Sequence, residues 1–280
     1  MKVKITWLGT ASYILDIEGT RLLFDPFFYR NEQSTPVLKT KRENVKNISA
    51  IFLTHGHFDH AIDAGFFAET LDVPVYCSET AKDNIIRWAE GKIIEEPTFL
   101  LTDKGKKNII PINFFEKIKI SEEIIVESIK SEHVVFDIRT ILSKLFSWKV
   151  LRKIRTLIRY GKGFPAGKVF GFCIFFNNKK IVSFGSLCPE FPDILKKYEN
   201  CDIFLAPLAG NSKQHIAEKA GKMIDSLKPK IIIPIHWDDF FPPISWTVDL
   251  NPFFKYMEKS YPEKKIIMLD FDEETLIDLD

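Results

Sequence analysis

Ala50-Ile51-Phe52-Leu53-Thr54-His55-Gly56-His57-Phe58-Asp59-His60 decides how this chain is read. Its first four residues are apolar, the pattern of a short strand buried on both faces. The run stops at Thr54, and three imidazoles and one carboxylate follow within the next six residues. Imidazole and carboxylate are the ligands that suit zinc and similar divalent cations. If the backbone leaves the strand extended, His55 and His57 project together, because side chains alternate with a period of two. If a helix begins directly afterwards, Asp59 and His60 turn to the opposite side of the loop. Such spacing can feed two adjacent cation positions. The competing reading, a solvated polar loop, fits poorly between an apolar strand and a helix.

Working outward, the first quarter reads as strands at 3–8, 12–17 and 21–24, with turns at Gly9 and Glu18-Gly19. Beyond the motif, a helix is expected over 63–70, a strand at 74–77 and a helix capped by Ser78 that reaches about Ala89. The stretches 109–112, 117–120 and 124–129 read as a meander. Further on, 169–176 and 180–184 form a hairpin turning at Asn177-Asn178. A short helix over 192–198, a strand at 203–206, a helix over 212–227 and a buried strand at 230–235 ending at His236 come next. Strands at 265–269 and 275–278 close the chain. Strands dominate each half before helices alternate with them. That order fits two mixed sheets packed face to face with helices outside, an αββα sandwich. No Gly/Ser- or Pro-rich linker interrupts the chain, so 1–280 reads as one domain.

At this motif the sequence resembles the metallo-β-lactamase superfamily, whose signature is His-x-His-x-Asp-His at the end of such a strand. The likeness runs over nearly the whole chain. It implies that Asp25, in Leu22-Leu23-Phe24-Asp25-Pro26, orients a ligating histidine from behind. It implies that His133, in Ser131-Glu132-His133-Val134, joins His55 and His57 around one cation. His236, in Pro234-Ile235-His236-Trp237, would join Asp59 and His60 around the other. Asp59 would also orient the nucleophile or pass a proton to the leaving group, and His236 could donate to the substrate if its cation position is empty. Zinc is the default cofactor, as one or two ions, with manganese or iron as alternatives. The reaction implied is attack by metal-bound hydroxide on an ester, lactone or phosphodiester. Superfamily relatives include an N-acyl-phosphatidylethanolamine phospholipase and a sugar-phosphate lactonase, and Pro207–Gly210 and Trp237–Phe240 resemble stretches of the lactonase-like branch.

The sequence departs from that pattern at two places. Where the family carries a bridging Asp, this chain has Ser186, in Phe184-Gly185-Ser186-Leu187-Cys188-Pro189-Glu190. A neutral hydroxyl compensates the mutual repulsion of two dications less well than a carboxylate. One position is therefore expected to be weak, with Cys188 or Glu190 the nearest substitutes. Thr10 replaces a histidine in the early Gly9-Thr10-Ala11-Ser12 turn. The alternative to a hydrolase is a family member that binds metal and an anionic ligand or membrane surface without turnover. His215 has no place in the family pattern, and Trp237, Phe240 and Phe241 read either as an apolar substrate wall or as packing.

Charge adds one further feature. The 280 residues carry a net charge of only +1, which argues against a polyanionic partner for the chain as a whole, and no nucleic-acid partner is expected. The stretch 137–168, however, holds nine basic residues against Asp137 alone, leaving the remainder at −7. Its apolar residues recur at three- and four-residue steps, so an amphipathic helix is expected there. That helix would either cover the core with a solvated cationic face or present Arg152, Lys153 and Arg155 as a lid toward a small anionic or lipid-like substrate or an acidic membrane surface. No secretory leader or membrane span is legible, and four widely spaced cysteines read as buried thiols, so a cytoplasmic setting is expected.

Overall fold

The computed structural model describes residues 1–93, 97–133, 160–209, 216–243 and 245–279. One sheet contains β1 (Lys2–Gly9), β2 (Ser12–Ile17), β3 (Thr20–Phe24), β4 (Ala50–Phe52), β5 (Val75–Cys77), β6 (Ile109–Pro111) and β14 (Glu274–Asp278). Their spatial order is β14-β1-β2-β3-β4-β5-β6. The other contains β7 (Lys117–Lys119), β8 (Ile124–Ser131), β9 (Val169–Phe176), β10 (Lys179–Phe184), β11 (Ile203–Pro207), β12 (Ile231–Ile235) and β13 (Lys265–Ile266), in the order β13-β12-β11-β10-β9-β8-β7. Both are mixed in the same way: neighbours are antiparallel from β14 to β3 and from β7 to β10, and parallel thereafter.

Side-chain alternation explains the layering. Along β9, Phe170, Phe172, Ile174 and Phe176 enter a core shared with Trp7, Tyr13, Phe24 and Phe52 of the facing sheet. Cys173 and Phe175 point the other way. Burial on both faces is why this strand reads as an unbroken apolar run. Outside the first sheet lie α1 (Phe58–Ala61), α2 (Ala64–Thr70) and α3 (Glu79–Ala89), packed through Ala61, Phe67, Ile85 and Trp88 onto Leu23 and Ile51. A short α4 (Asp103–Lys107) follows. Outside the second sheet lie α5 (Pro192–Leu195), α6 (Ile216–Leu227) and α7 (Asn251–Ser260), packed through Leu195, Met223 and Phe253. The expected αββα sandwich is the observed fold.

Local chemistry accounts for the sharp boundaries. Ser78 caps α3, its hydroxyl accepting from the Ala81 amide at 3.1 Å. Asn177 and Asn178 both have positive φ (43° and 61°), the conformation a tight two-residue hairpin turn demands. The expected meander is corrected in one respect: β6 belongs to the first sheet, paired parallel to β5, so that of these three strands β7 and β8 alone are antiparallel neighbours in the second. A three-residue apolar run carries no information on which sheet receives it. Residues 265–269 pair with β12 only over Lys265–Ile266. Helix α4 has no apolar period to betray it, whereas α7 buries Phe253 and Met257 four residues apart, a signal that the sequence reading passed over.

Of the basic stretch, residues 137–159, including Arg152, Lys153 and Arg155, lie outside the described residues, as does His215. No helix among the described residues is long and apolar enough to cross a membrane.

Candidate metal centre

Five segments that leave strand ends supply the site: those after β3 (Asp25), β4 (Thr54–His60), β8 (His133), β10 (Gly185-Ser186) and β12 (His236). The β4 segment is held from several directions. Leu53 N–H donates to Tyr76 O at 2.9 Å, and the Thr54 carbonyl accepts from Phe170 N–H of the facing sheet at 2.7 Å. His57 stays extended (φ −64°, ψ 154°) and precedes α1, which turns Asp59 and His60 inward, both buried.

Two groups of side chains result. One donor atom each from His55, His57 and His133 lie within 4.8 Å of one another, and so do donor atoms from Asp59, His60 and His236. His55 Nε2 is 3.0 Å from His57 Nδ1. The His133 ring centre stands 4.5 Å from that of His57 and 5.0 Å from that of His55. In the second group, Asp59 Oδ2 is 3.5 Å from His60 Nε2 and 3.7 Å from His236 Nε2. His236 adopts φ 60°, a left-handed conformation uncommon for a side-chain-bearing residue, as the chain turns out of β12. Behind both groups sits Asp25, fully buried, which accepts from Thr54 N–H (2.7 Å), Thr54 Oγ1–H (2.7 Å) and His60 Nδ1–H (2.9 Å).

Electrostatics keep most of these imidazoles neutral. Burial, and then the neighbouring imidazoles, push His55 and His236 well below the ordinary histidine value. Burial with His133 and His60 nearby brings His57 down to about 3. His60 differs: burial opposes its charge, but Asp25 and Asp59 outweigh burial and raise its pKa. Each neutral imidazole keeps one bare ring nitrogen, the form in which histidine binds a cation.

Comparison with known proteins agrees with the motif and the fold. A model of the metallo-beta-lactamase superfamily matches residues 5–133. A UPF0173 metal-dependent hydrolase from Nanoarchaeum equitans is 26% identical over 279 residues, covering 97% of this chain and 99% of that one. Another from Koribacter versatilis is 25% identical over 241 residues, 85% of each. Among solved structures, the metallo hydrolase Igni18 from Ignicoccus hospitalis superposes with a TM-score of 0.65 at 16% identity, covering 99% of both chains. Over residues 5–133 the chain is similar to the metallo-beta-lactamase superfamily, and its fold is that of the solved metallo hydrolase.

Within the superfamily pattern, the bridging position is the departure. Ser186 is buried and follows Gly185, whose missing Cβ leaves room for Thr54 Oγ1; an added Cβ would overlap that hydroxyl and lie 3.3 Å from His55 Nδ1. Neither proposed substitute joins a donor group. Burial raises the Cys188 thiol, whose sulfur accepts from Glu132 N–H at 3.2 Å, and Glu190 is exposed. The Gly9–Ser12 turn and the Trp237–Phe240 stretch, noted separately in the sequence, meet here: Thr10 N–H donates to Asp238 Oδ1 at 2.8 Å. Phe240 stands 5.4 Å from the His236 ring, while Phe241 and Tyr160 pack on Phe58.

Sequence reasoning missed two supporting residues. Asn84, buried on α3, donates to Gly56 O at 2.8 Å and to Pro165 O at 2.9 Å, and Gly56 N–H donates to Ala166 O at 2.8 Å. The residue between His55 and His57 is thus tied on both sides. Arg30 forms a buried ion pair with Asp238 at 2.9 Å, against Gly9, where a Cβ would overlap the guanidinium. Neither residue stands out in the sequence, since a lone Asn in a helix and a lone Arg in a loop carry no spacing signal.

The donor set fits divalent cations. Zinc–nitrogen bonds of about 2.0–2.1 Å place tetrahedral ligand atoms roughly 3.4 Å apart, close to the separations seen in both groups.

Proposed function

We propose that this chain is a metal-dependent hydrolase that holds divalent cations in the His55–His57–His133 and Asp59–His60–His236 groups. The observation that supports it most is the convergence of five histidines and one aspartate from distant segments into two donor sets side by side. When bound, such a cation makes coordinated water acidic enough to act at neutral pH and offsets charge on a developing oxyanion. The chain's own residues do the rest. Asp25 keeps the His60 proton on Nδ1 and so leaves Nε2 toward Asp59. Asp59, between His60 and His236, is placed to orient the attacking water and to hand a proton to the leaving group. Phe240 stands edge-on to the His236 ring and lends that side of the donor groups an apolar neighbour.

Zinc is the first choice of ion for these nitrogen-rich sets. With Ser186 in place of a carboxylate, the second position binds more weakly than the first. The substrate proposed is a small anionic or lipid-like ester, lactone or phosphodiester. The chain leaves the centre at His133, beside His57, and rejoins it at Tyr160, whose ring stacks on Phe58 at 5.2 Å. Much of the basic stretch 137–168 lies in sequence between these two residues, and its charge supports an anionic substrate. The four described cysteines are free and buried, which supports a reducing, cytoplasmic setting.

Metal analysis of the purified chain combined with hydrolysis of matched anionic and neutral phosphodiester, lactone and ester panels tests this reading. Bound metal and turnover are expected, fastest on anionic members, both lost in His57→Ala with the fold retained. Full occupancy with no turnover on any panel would leave the binding protein without catalysis as the better account.

A further inference from the structure

We propose that Thr54 is a positioning residue that extends the hold of Asp25 from one donor group to the other. One buried carboxylate then sets the ring tautomer of a histidine in each. The inference rests on the reading of these groups as cation sites, and deepens it.

Proton ownership around Asp25 decides the tautomers. Asp25 is an acceptor only, and it already receives three hydrogen bonds: Thr54 N–H on Oδ1, and Thr54 Oγ1–H and His60 Nδ1–H on Oδ2. The contact of 2.7 Å between Thr54 Oγ1 and Asp25 Oδ2 requires a proton between two oxygens, and the threonine hydroxyl owns the only one available. Once that proton points at Asp25, Thr54 Oγ1 can offer only lone pairs to its remaining neighbours. These are His55 Nδ1 at 3.1 Å and, more distantly, His60 Nδ1 at 3.3 Å. His55 must then carry its proton on Nδ1 and present Nε2 as a lone pair, which is the atom 3.0 Å from His57 Nδ1. His60 carries its proton on Nδ1 through Asp25 directly, and its Nε2 faces Asp59.

A second, independent observation fixes the hydroxyl in place. Gly185, arriving from the other sheet, leaves space for Thr54 Oγ1 where any Cβ would overlap it. Both sheets therefore confine one oxygen, which holds Thr54 Oγ1 within 2.7 Å of Asp25 Oδ2 and 3.1 Å of His55 Nδ1. Outer partners that fix histidine tautomers in this way commonly change metal affinity 10–100-fold when removed.

Two readouts on the full chain test the relay. In metal-stripped, nitrogen-15-labelled protein at pH 8, long-range proton–nitrogen spectra report the tautomer of each ring. Wild type and Thr54→Ser are expected to show His55 with Nδ1 protonated and Nε2 bare. Thr54→Val is expected to populate the opposite His55 tautomer while His60 keeps its own, and Asp25→Asn to disturb both. In zinc titrations, Thr54→Val should weaken the His55 group about 10–100-fold, with Thr54→Ser restoring it. Wild-type His55 protonated on Nε2 would overturn the proposal even if Thr54→Val failed to fold. So would unchanged tautomer and zinc affinity in a folded Thr54→Val. If wild type binds no cation at all, the cation-site reading fails, and the tautomers of the stripped protein still decide the relay.

Discussion

Asn84 shows how much of this centre depends on single hydrogen bonds. Its amide donates to Gly56 O and Pro165 O, so a helix side chain fixes the peptide between the two histidines of the His-x-His pair and the segment that returns from the basic stretch. Replacing it with alanine leaves the buried Gly56 carbonyl without its donor, a cost of about 1–3 kcal/mol, and frees the partly exposed Pro165 carbonyl to water. Asn84→Ala should therefore lower the denaturation midpoint, and it should weaken cation binding through His55 and His57 together. Urea unfolding with parallel zinc titration checks both effects. The motif histidines themselves were legible in the sequence because six consecutive positions carry the pattern. Asn84, Arg30 and Thr54 were not, because their partners lie 28, 208 and 29 residues away (Gly56, Asp238 and Asp25) and no short-range period marks them.

Strand ends are the elements that matter. Each donor follows the last residues of a strand, so the register of both sheets places the donors, and the hairpin of β9 and β10 is the link between sheets. Phe170 N–H reaches the Thr54 carbonyl at 2.7 Å, and Gly185 abuts the Thr54 hydroxyl. Gly185→Ala would drive a methyl into that hydroxyl, and the neighbouring strand ends must move apart. Overpacking of this kind costs about 1–3 kcal/mol. Loss of thermal stability accompanied by weaker zinc binding is expected; a Gly185→Ala protein with wild-type values in both would show that the two sheets do not meet at Thr54. At this scale most strands and α3 were readable, since apolar runs, the Ser78 cap and the Asn-Asn turn are local signals. The sheet that takes β6 was not, because three apolar residues pair equally well with either edge.

Across the whole molecule, the buried imidazoles make stability depend on pH. His57 has its folded pKa at about 3 against an ordinary 6.5, and His55 and His236 are also lowered, all chiefly by burial. Between those values the unfolded chain binds protons that the folded chain refuses. Stability of the metal-free protein is therefore full above about pH 6.5 and falls as pH drops toward 3. His60, raised by Asp25 and Asp59 against its burial, works in the opposite sense, adding stability that is lost as pH rises through its folded pKa. Added zinc should stabilise the fold by about 2.7 kcal/mol at a hundredfold excess over Kd, and the gain should shrink on acidification as protons compete for the same nitrogens. Melting temperatures from pH 8 to pH 5, with chelator and with zinc, measure both slopes. A chelated protein whose melting temperature is flat over that range contradicts neutral, buried imidazoles.

By itself the sequence determined the layered fold, the strand that ends at Thr54, and the residue types able to hold a divalent cation. These follow from local periodicity, from turn chemistry and from donors that lie next to one another in the chain. Only the tertiary structure decided that His133 and His236 arrive beside the motif, that Ser186 stands behind Gly185 without a carboxylate to replace it, and that Thr54 joins Asp25 to both donor groups. The physical reason is distance along the chain: burial and hydrogen bonding between segments a hundred residues apart depend on how two sheets pack, and packing leaves no repeat in the letters.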